Sequence, residues 1–334
     1  MPSSELKGMY LLNKGSFDVI YGEQERQDIA ERVSIAAPLH TAESVNADPS
    51  VLSEIDIIFS GWGMAKLDES LLGQAPRLKA VFYGAGSVKG FVSEAFWERG
   101  ILLTSAYAAN AVPVCEYTLS QILFCLKHGW QYALAIKREG KYPTRAPVPG
   151  GYQSTVGIIS LGMIGRGMCE MLNRFDLNVL AYDPFATDED AKALNVQLCS
   201  LDEIFVRSDV VSLHAPRLKE TEGMITGAHL ESMKPGSTFI NTSRGAIVRE
   251  SEMIEVLKRR PDLFAVLDVT NPEPPQPGSD LYTLPNVIVT PHIAGSMSGE
   301  CRRMGRYMVE ELDRFLRGEP LKWQITREKV ARMA

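Results

Sequence analysis

The sequence contains few residues of the kinds that mark metal centres, redox centres or membrane spans. Only 5 cysteines and 5 histidines occur among 334 residues, and no C-x-x-C pair is present. We therefore expect no metal site, and we expect reduced thiols rather than disulfides. No apolar run reaches the ~18 residues that a membrane-spanning helix needs.

The sequence also lacks a targeting segment and an excess of basic charge. The N-terminal stretch "MPSSELKGMYLLNKGSFDVIYG" has no basic leader followed by an apolar segment and a small-residue cleavage site. The formal net charge is −6, and the charged residues are scattered rather than grouped, which argues against a nucleic-acid partner. We therefore expect a cytoplasmic protein that binds neither membranes nor nucleic acids.

What is present indicates a globular protein with two domains. The length of 334 residues, with 45% hydrophobic and 23% charged content, suits two cores of ordinary size. In the first hundred residues, apolar runs that read as buried parallel strands alternate with helical stretches. These strands are predicted at 9–12, 55–60, 79–83 and 101–104.

A long segment rich in helix formers follows. Pro113 suits the start of a helix and Gly140 its end, so a helix is predicted between them. The proline- and glycine-rich stretch "KYPTRAPVPGGYQ" is predicted as a loop. A second series of strands is then predicted at 155–159, 178–182, 210–213, 237–241, 264–267 and 286–290.

A glycine-bearing turn, "VGIISLGMIGRG", follows the first strand of this second series. It matches the dinucleotide-binding pattern G-x-G-x-x-G at Gly162 and Gly165, but Ser160 stands at the first glycine position. The next strand ends on Asp183, whose carboxylate would accept hydrogen bonds from ribose hydroxyls and repel a 2′-phosphate. No arginine follows in "YDPFATDED", so we expect NAD rather than NADP. Ser160 is interpreted as a tolerated departure whose hydroxyl faces the pyrophosphate.

These features predict an α/β fold of two doubly wound parallel-sheet domains. A helix at about 298–317 carries one apolar face and is expected to return to the first domain. An NAD(P)-binding Rossmann domain, 108–299, would then be inserted into a flavodoxin-like substrate domain formed by 1–107 and 300–334.

Chemically useful side chains follow the later strands, where ligands bind in open α/β sheets. Arg244 offers a planar fork for a substrate carboxylate, and His292 can exchange a proton near neutral pH. Glu273 would hold the second imidazole nitrogen of His292 and stabilise the imidazolium. With a nicotinamide, these groups suit hydride transfer at C2 of a 2-hydroxy acid, with His292 protonating the keto oxygen during reduction.

The chain resembles the D-isomer-specific 2-hydroxyacid dehydrogenase family, including its phosphoglycerate dehydrogenase-like and glyoxylate/hydroxypyruvate reductase-like members, over nearly its whole length. The matching pieces are "GIISLGMIG", "YDP", "SLHAP", "MKPGSTFINTSRGAIV", "DVTNPEPP" and "LPNVIVTPHIAG". The resemblance implies that Arg244, Glu273 and His292 are catalytic and that the protein is a homodimer. The expected cofactor-binding residues are Gly162, Met163, Ile164, Gly165, Asp183, Pro216, Thr242, Ser243, Asp268 and Gly295.

The family's substrate loop corresponds to "YGAGSVKG", where the backbone of Ala85 and Gly86 would bind the substrate carboxylate together with the Arg244 side chain. The residues after this glycine differ from the acidic and asparagine residues of the family; they are Ser87, Val88 and Lys89. Phe82 and Tyr83 stand where phosphoglycerate dehydrogenases commonly have an arginine. The sequence therefore leaves the identity of the small 2-hydroxy or 2-keto acid open.

Two other functions fit the same fold. Formate dehydrogenase resembles this chain in fold but pairs its histidine with glutamine, so Glu273 argues against a formate dehydrogenase. An NAD-binding corepressor-like interaction protein would keep the fold and the site, yet the peptide-binding cleft and disordered tail typical of that class are not visible here. We expect an NAD-dependent oxidoreductase that acts on CH–OH donors.

Overall fold

The structure, a computed structural model, describes residues 6–37 and 39–331. The chain folds into two compact units. Unit 1 contains the residues up to Ala111 together with those from Ser296 onward, and unit 2 runs from Val112 to Gly295. Among the described residues, no helix combines the length and the apolar character that crossing a membrane requires.

Unit 1 is built on a parallel sheet of five strands. The strands are β1 (Lys7–Leu11), β2 (Ser34–Ile35), β3 (Ile57–Ser60), β4 (Ala80–Tyr83) and β5 (Leu102–Ser105), in the order β2-β1-β3-β4-β5. This is the flavodoxin-like order, as expected from the sequence. The four long strands were predicted; β2 was missed because a two-residue strand carries no periodic signal.

Helices cover both faces of this sheet, which is why its strands are apolar throughout. They are α1 (Lys14–Ile20), α2 (Glu23–Ala30), α3 (Ala42–Ala47), α4 (Glu69–Gly73), α5 (Glu94–Glu98), part of α6 (Tyr107–Cys125), and, after unit 2, α13 (Cys301–Leu316) and α14 (Arg327–Val330).

The helix α13 is a main element of the core of unit 1. Met304, Met308 and Leu312 are buried on its inner face beside Tyr10 and Ile20. The backbones of α13 and α1 approach so closely that a Cβ atom on Gly305 would lie 2.0 Å from the carbonyl oxygen of Ile20. Glycine at 305 therefore sets how deeply α13 can pack.

Unit 2 contains a parallel sheet of seven strands. They are β6 (Tyr152–Ile159), β7 (Asp176–Tyr182), β8 (Gln197–Leu198), β9 (Val210–Leu213), β10 (Thr238–Asn241), β11 (Phe264–Leu267) and β12 (Val287–Val289). Their order, β12-β11-β10-β9-β6-β7-β8, is the Rossmann order with one strand added. The strand order reverses between β6 and β9, which creates the crevice where such sheets bind ligands.

The helices of unit 2 are the rest of α6, α7 (Gly129–Glu139), α8 (Met163–Leu172), α9 (Asp188–Leu194), α10 (Leu201–Arg207), α11 (Gly227–Glu231) and α12 (Glu250–Arg259). The prediction that a helix starts at Pro113 is wrong, because α6 begins at Tyr107 and Pro113 lies inside it. Burial of small residues in its first turns, Ala108, Ala109 and Ala111, extends the helix across the proline. His128, in the left-handed conformation, separates α6 from α7, and Gly140 ends α7 as predicted.

The close approach at Gly305 predicts that one added methyl group will lower the stability of the fold. Gly305→Ala should lower the free energy of unfolding by about 1–3 kcal/mol, since the new atom meets backbone rather than a flexible side chain. Gly73→Ala in α4 is the matched control, because a Cβ there meets nothing within 4 Å. Urea unfolding followed by circular dichroism measures both; equal midpoints would contradict the packing argument.

Candidate active site

The predicted site residues of unit 2 lie at the carboxyl ends of four adjacent strands. Pro216 follows β9, Thr242 follows β10, Asp268 follows β11 and His292 lies shortly after β12. Each of these strands pairs with the next in parallel register, so their ends share one edge of the sheet. Glu273 comes from the loop after β11.

His292 and Glu273 form a hydrogen-bonded pair. The Nδ1 atom of His292 lies 2.6 Å from Oε1 of Glu273, and both side chains are about half exposed. Since an ionised carboxylate only accepts hydrogen bonds, Nδ1 is the donor and the second nitrogen, Nε2, remains for exchange with a ligand. The arrangement suits a histidine that gives and takes a proton at Nε2.

The backbone of His292 has an uncommon conformation that a buried carboxylate supports. Its φ of 56° lies in the left-handed region. Asp268, which is 1% exposed, accepts hydrogen bonds at Oδ1 from Thr290 Oγ1 (2.6 Å) and the Ile293 amide (2.8 Å), and at Oδ2 from the Ala294 amide (2.9 Å). Asp268 thus fixes the loop that carries His292, and Gly295 lies in the same loop.

Arg244 lies at the same edge of the sheet and is largely buried. Its Nη1 donates to the carbonyl of Ser243 at 2.7 Å. Burial lowers the pKa of the Arg244 guanidinium, the nearby Glu273 carboxylate raises it in part, and Arg217 lowers it further. Because the ordinary pKa of arginine is so high, the side chain stays charged at neutral pH. The structure therefore brings a fixed cation close to the His292–Glu273 pair.

Hydroxyl groups join the loops around this cation. Ser243 Oγ donates to the carbonyl of Ala215, and Thr242 Oγ1 lies 3.0 Å from Thr118 Oγ1 on α6. Thr221 Oγ1 donates to the carbonyl of Pro216 at 2.6 Å. These bonds hold the ends of β9 and β10 together, which keeps the backbone before Arg244 in place.

The glycine-bearing turn lies at the other side of the crevice, between β6 and α8. Gly162 is the N-cap of α8, with extended backbone, no side-chain cap bond and no acidic residue in the first turn. A Cβ on Gly162 would meet nothing within 4 Å, whereas one on Gly165 would lie 1.9 Å from the carbonyl oxygen of Ser160. Gly165 therefore allows the helix to pack against the turn, and the side of Gly162 is open to an approaching group. Met163 is exposed and Ile164 is partly buried.

Ser160 differs from what the sequence suggested. Its φ of 76° is left-handed, the conformation for which glycine is normally used. The hydroxyl was expected to face a pyrophosphate, but it donates to Oδ2 of Asp183 at 3.3 Å. Asp183 also accepts the Leu161 amide at Oδ2 (2.8 Å) and the Phe185 amide at Oδ1 (2.9 Å). The expectation was wrong because the end of β7 places this carboxylate directly beside the turn.

In unit 1, the loop after β4 contains the predicted substrate-binding backbone. Ser105 Oγ lies 2.8 Å from the carbonyl oxygen of Ala85 and 2.6 Å from that of Gly86. Within residues 6–37 and 39–331, the amides of Ala85 and Gly86 have no hydrogen-bond acceptor. They are therefore available to bind an anion. Phe82 and Tyr83 are buried in the sheet.

Sequence reasoning missed the residues that support the site. Ser105, Thr118 and Thr290 each make the hydrogen bonds described above, and Tyr117 Oη lies 3.0 Å from Thr290 Oγ1. Thr290 and Ser105 could have been found, because each is a hydroxyl residue at the end of a predicted strand. Thr118 lies within a helix and gave no such signal.

The described residues contain no group of three or more His, Cys, Asp or Glu side chains that could hold a metal ion. All five cysteines are free: Cys115, Cys125, Cys169, Cys199 and Cys301. Burial raises the pKa of the Cys125 and Cys169 thiols to about 12, so these thiols are protonated and unreactive at neutral pH.

His214 is buried and uncharged. Its Nε2 atom lies 2.9 Å from Ser212 Oγ, and its Nδ1 atom has no partner among the described residues. Burial lowers the pKa of His214 to about 3. The imidazole is therefore neutral at physiological pH and does not act as an acid there.

This burial predicts a loss of stability at acid pH. An unfolded histidine binds a proton near pH 6.5, whereas folded His214 does so near pH 3. Between those values the unfolded chain holds the extra proton, so the free energy of unfolding should fall as pH decreases, by up to ~1.4 kcal/mol per pH unit from this group. Urea unfolding at pH 7, 6 and 5 measures this free energy. It should fall less steeply with decreasing pH in His214→Gln than in the unmodified protein, and equal slopes would contradict the prediction.

Comparisons with known proteins identify the family of the chain. The family model for the D-isomer specific 2-hydroxyacid dehydrogenase NAD binding domain matches residues 119–294. D-3-phosphoglycerate dehydrogenase of Archaeoglobus fulgidus is 32% identical over 258 residues, which cover 77% of this chain and 49% of that protein. (S)-sulfolactate dehydrogenase of Chromohalobacter salexigens is 33% identical over 253 residues, covering 75% and 82%.

A solved structure shows the same fold. The NAD-complexed D-isomer specific 2-hydroxyacid dehydrogenase of Lactobacillus delbrueckii aligns with a TM-score of 0.79 and 20% identity, covering 96% of this chain and 99% of that one. The chain spans about half the length of the curated D-3-phosphoglycerate dehydrogenases that it matches. Because the family model covers more than half of the sequence, the chain belongs to the D-isomer specific 2-hydroxyacid dehydrogenase family and contains its NAD binding domain.

Proposed function

We propose that the protein is an NAD-dependent dehydrogenase that interconverts a D-2-hydroxy acid and its 2-keto acid. The observation that carries the proposal is the 2.6 Å hydrogen bond between His292 Nδ1 and Glu273 Oε1. The charged Arg244 guanidinium lies close enough to Glu273 for the carboxylate to affect its pKa. A proton donor and a carboxylate-binding cation at one sheet edge are what this reaction requires.

The residues present fit NAD. The open side of Gly162 and the uncapped N-terminus of α8 provide backbone amides for a pyrophosphate. Asp183 presents a carboxylate for the adenosine ribose hydroxyls and disfavours a 2′-phosphate. Met163, Ile164, Gly165, Pro216, Thr242, Ser243, Asp268 and Gly295 complete the proposed cofactor-binding set. Bound NAD supplies the hydride donor for reduction and the hydride acceptor for oxidation.

The chain's own residues handle the proton and the substrate's charge. In reduction, His292 Nε2 gives its proton to the keto oxygen as C2 becomes a carbinol carbon. In oxidation, the neutral Nε2 takes the hydroxyl proton. Glu273 accepts the hydrogen bond from Nδ1, which fixes the orientation of the ring and leaves Nε2 for the substrate. Arg244 binds the substrate carboxylate, which orients C2 for reaction.

Unit 1, considered by itself, also offers a candidate anion-binding backbone. The unpaired amides of Ala85 and Gly86 can donate hydrogen bonds to an anion, and Ser105 Oγ lies within hydrogen-bond distance of the carbonyl oxygens of the same two residues. The relatives named above act on a phosphorylated and a sulfonated acid, as their names state. The buried Phe82 and Tyr83 offer no cation for a phosphate or sulfonate group. The proposal therefore assigns no particular side chain to the substrate.

We further propose that the protein is a cytoplasmic homodimer. The helix α7 has no buried residue within the chain. Phe124 at the end of α6 is 42% exposed, and Tyr142 after α7 is 87% exposed. An apolar surface of this kind suits a second copy of the chain.

Turnover tests the proposal directly. The protein should oxidise NADH with at least one of glyoxylate, hydroxypyruvate, phenylpyruvate and 2-ketogluconate, measured by loss of absorbance. His292→Ala should lower kcat by about a hundred- to ten-thousand-fold, the usual contribution of a general acid, while NADH affinity holds. If no 2-keto acid supports turnover although NADH binds, an NAD-binding interaction protein becomes the better assignment.

Glu273→Gln tests the hydrogen bond that orients the His292 ring. Glutamine keeps the size of the side chain but replaces the charged acceptor with a neutral one, which weakens the bond to Nδ1. The kcat for reduction and the kcat for oxidation should both fall, while NADH affinity stays the same. Unchanged kcat values in both directions would remove Glu273 from the proposed mechanism.

Arg244→Lys keeps the charge but removes the planar fork. KM for the keto acid should rise steeply, and kcat should fall as the orientation of the substrate is lost. Arg249→Lys is the matched control, because that exposed side chain pairs with Glu252 away from the site. Equal kinetics for the two variants would remove Arg244 from the proposed substrate contacts.

A further inference from the structure

The serine at position 160 is held in a conformation that serine rarely adopts. Its φ of 76° lies in the left-handed region, where a Cβ atom is unfavourable and glycine is the usual residue. The turn cannot relax easily, because the carbonyl of Ser160 lies against Gly165 at the start of α8. A residue that keeps its side chain under this constraint needs a compensating interaction.

That interaction is the hydrogen bond from Ser160 Oγ to Asp183 Oδ2 at 3.3 Å. The Leu161 amide donates to the same oxygen at 2.8 Å, and the Phe185 amide donates to Oδ1 at 2.9 Å. Three donors from two sides therefore restrict the orientation of the Asp183 carboxylate. Two of them come from the turn itself and the third from the loop after β7.

The hydroxyl of Ser160 cannot serve two acceptors at once. A hydroxyl has one proton, and a carboxylate and a phosphate oxygen are both acceptors only. While the proton is donated to Asp183, it is not available to a pyrophosphate oxygen. The geometry thus favours a contact of the Ser160 hydroxyl with Asp183 over the contact with a pyrophosphate that was expected from the sequence.

We propose that Ser160 is a positioning residue that fixes the Asp183 carboxylate for the adenosine ribose of NAD. An ionised carboxylate has about four acceptor sites. Three internal donors occupy most of them, and the remaining site is available to a ribose hydroxyl. A carboxylate held in one orientation also keeps its charge where a 2′-phosphate would lie. Ser160 thereby contributes to the choice of NAD over NADP without contacting the cofactor. The inference rests on the cofactor-binding part of the proposed function and not on its substrate or its catalytic residues.

A double-mutant cycle tests this role through binding alone. Dissociation constants of NADH and NADPH are measured by calorimetry for the unmodified protein, Ser160→Ala, Asp183→Ala and the double variant. In the unmodified protein NADH should bind more tightly than NADPH. Ser160→Ala should weaken NADH binding about fivefold, which corresponds to a hydrogen bond of ~1 kcal/mol, and should narrow the preference over NADPH. In the Asp183→Ala background, the same substitution should leave NADH affinity unchanged.

Ser160→Gly separates the hydroxyl from the backbone strain. The glycine variant should melt at a higher temperature than Ser160→Ala without cofactor, because glycine tolerates the left-handed conformation. Both variants should show the same loss of NADH affinity, since both lack the hydroxyl. Ser298→Ala is a control, being a second serine with left-handed backbone (φ 48°), and its NADH affinity should match that of the unmodified protein.

Three results would overturn the inference. A loss of NADH affinity that is equal in both backgrounds would show that the hydroxyl acts on the cofactor itself. An unchanged affinity in Ser160→Ala would show that the hydroxyl has no role in binding. Failure of the unmodified protein to bind NADH would overturn the proposed function as well, which distinguishes that outcome from the other two.

Discussion

The buried carboxylate of Asp268 is the interaction on which the proposed chemistry of unit 2 depends. It accepts two amides and one hydroxyl from residues 290–294, and its backbone carbonyl accepts the amide of His292. A charge with so little exposure is tolerated because each oxygen has donors at close range. These bonds, together with the one from the His292 amide to the carbonyl of Thr290, support the left-handed conformation of His292. An acid that takes no part in the proposed proton transfer therefore helps to position the residue that does.

On both sides of the crevice, a carboxylate at a strand end accepts hydrogen bonds from backbone amides of a neighbouring loop. On one side, Asp268 binds the amides of the loop after β12; on the other, Asp183 binds amides beside the glycine-bearing turn. In both places a carboxylate at a strand end orders a neighbouring loop. The parallel sheet makes this possible, because strands adjacent in space end at one edge whatever their separation along the chain.

Sequence reasoning predicted the α/β class, both sheets and the long strands, because buried parallel strands appear as apolar runs. It could not predict β2 and β8, which are too short for periodicity, or the extension of α6 across Pro113, which burial of neighbouring alanines decides. Strand ends located His292, Arg244 and Asp268, since motif and topology agree there. The side-chain bonds of Ser160 and Thr118 depend on three-dimensional distance and left no pattern in the sequence.

The division of unit 1 between two separate parts of the chain has a consequence for protein synthesis. During translation, unit 2 is complete once Gly295 has emerged, whereas the sheet of unit 1 still lacks α13. Until Met304, Met308 and Leu312 arrive, the apolar face that they cover in the finished fold stays exposed. Domains generally fold as units during synthesis, so unit 2 has all of its strands while unit 1 still awaits a helix of its core. Transiently exposed apolar surface favours aggregation, so unit 1 is at greater risk than unit 2 during this interval.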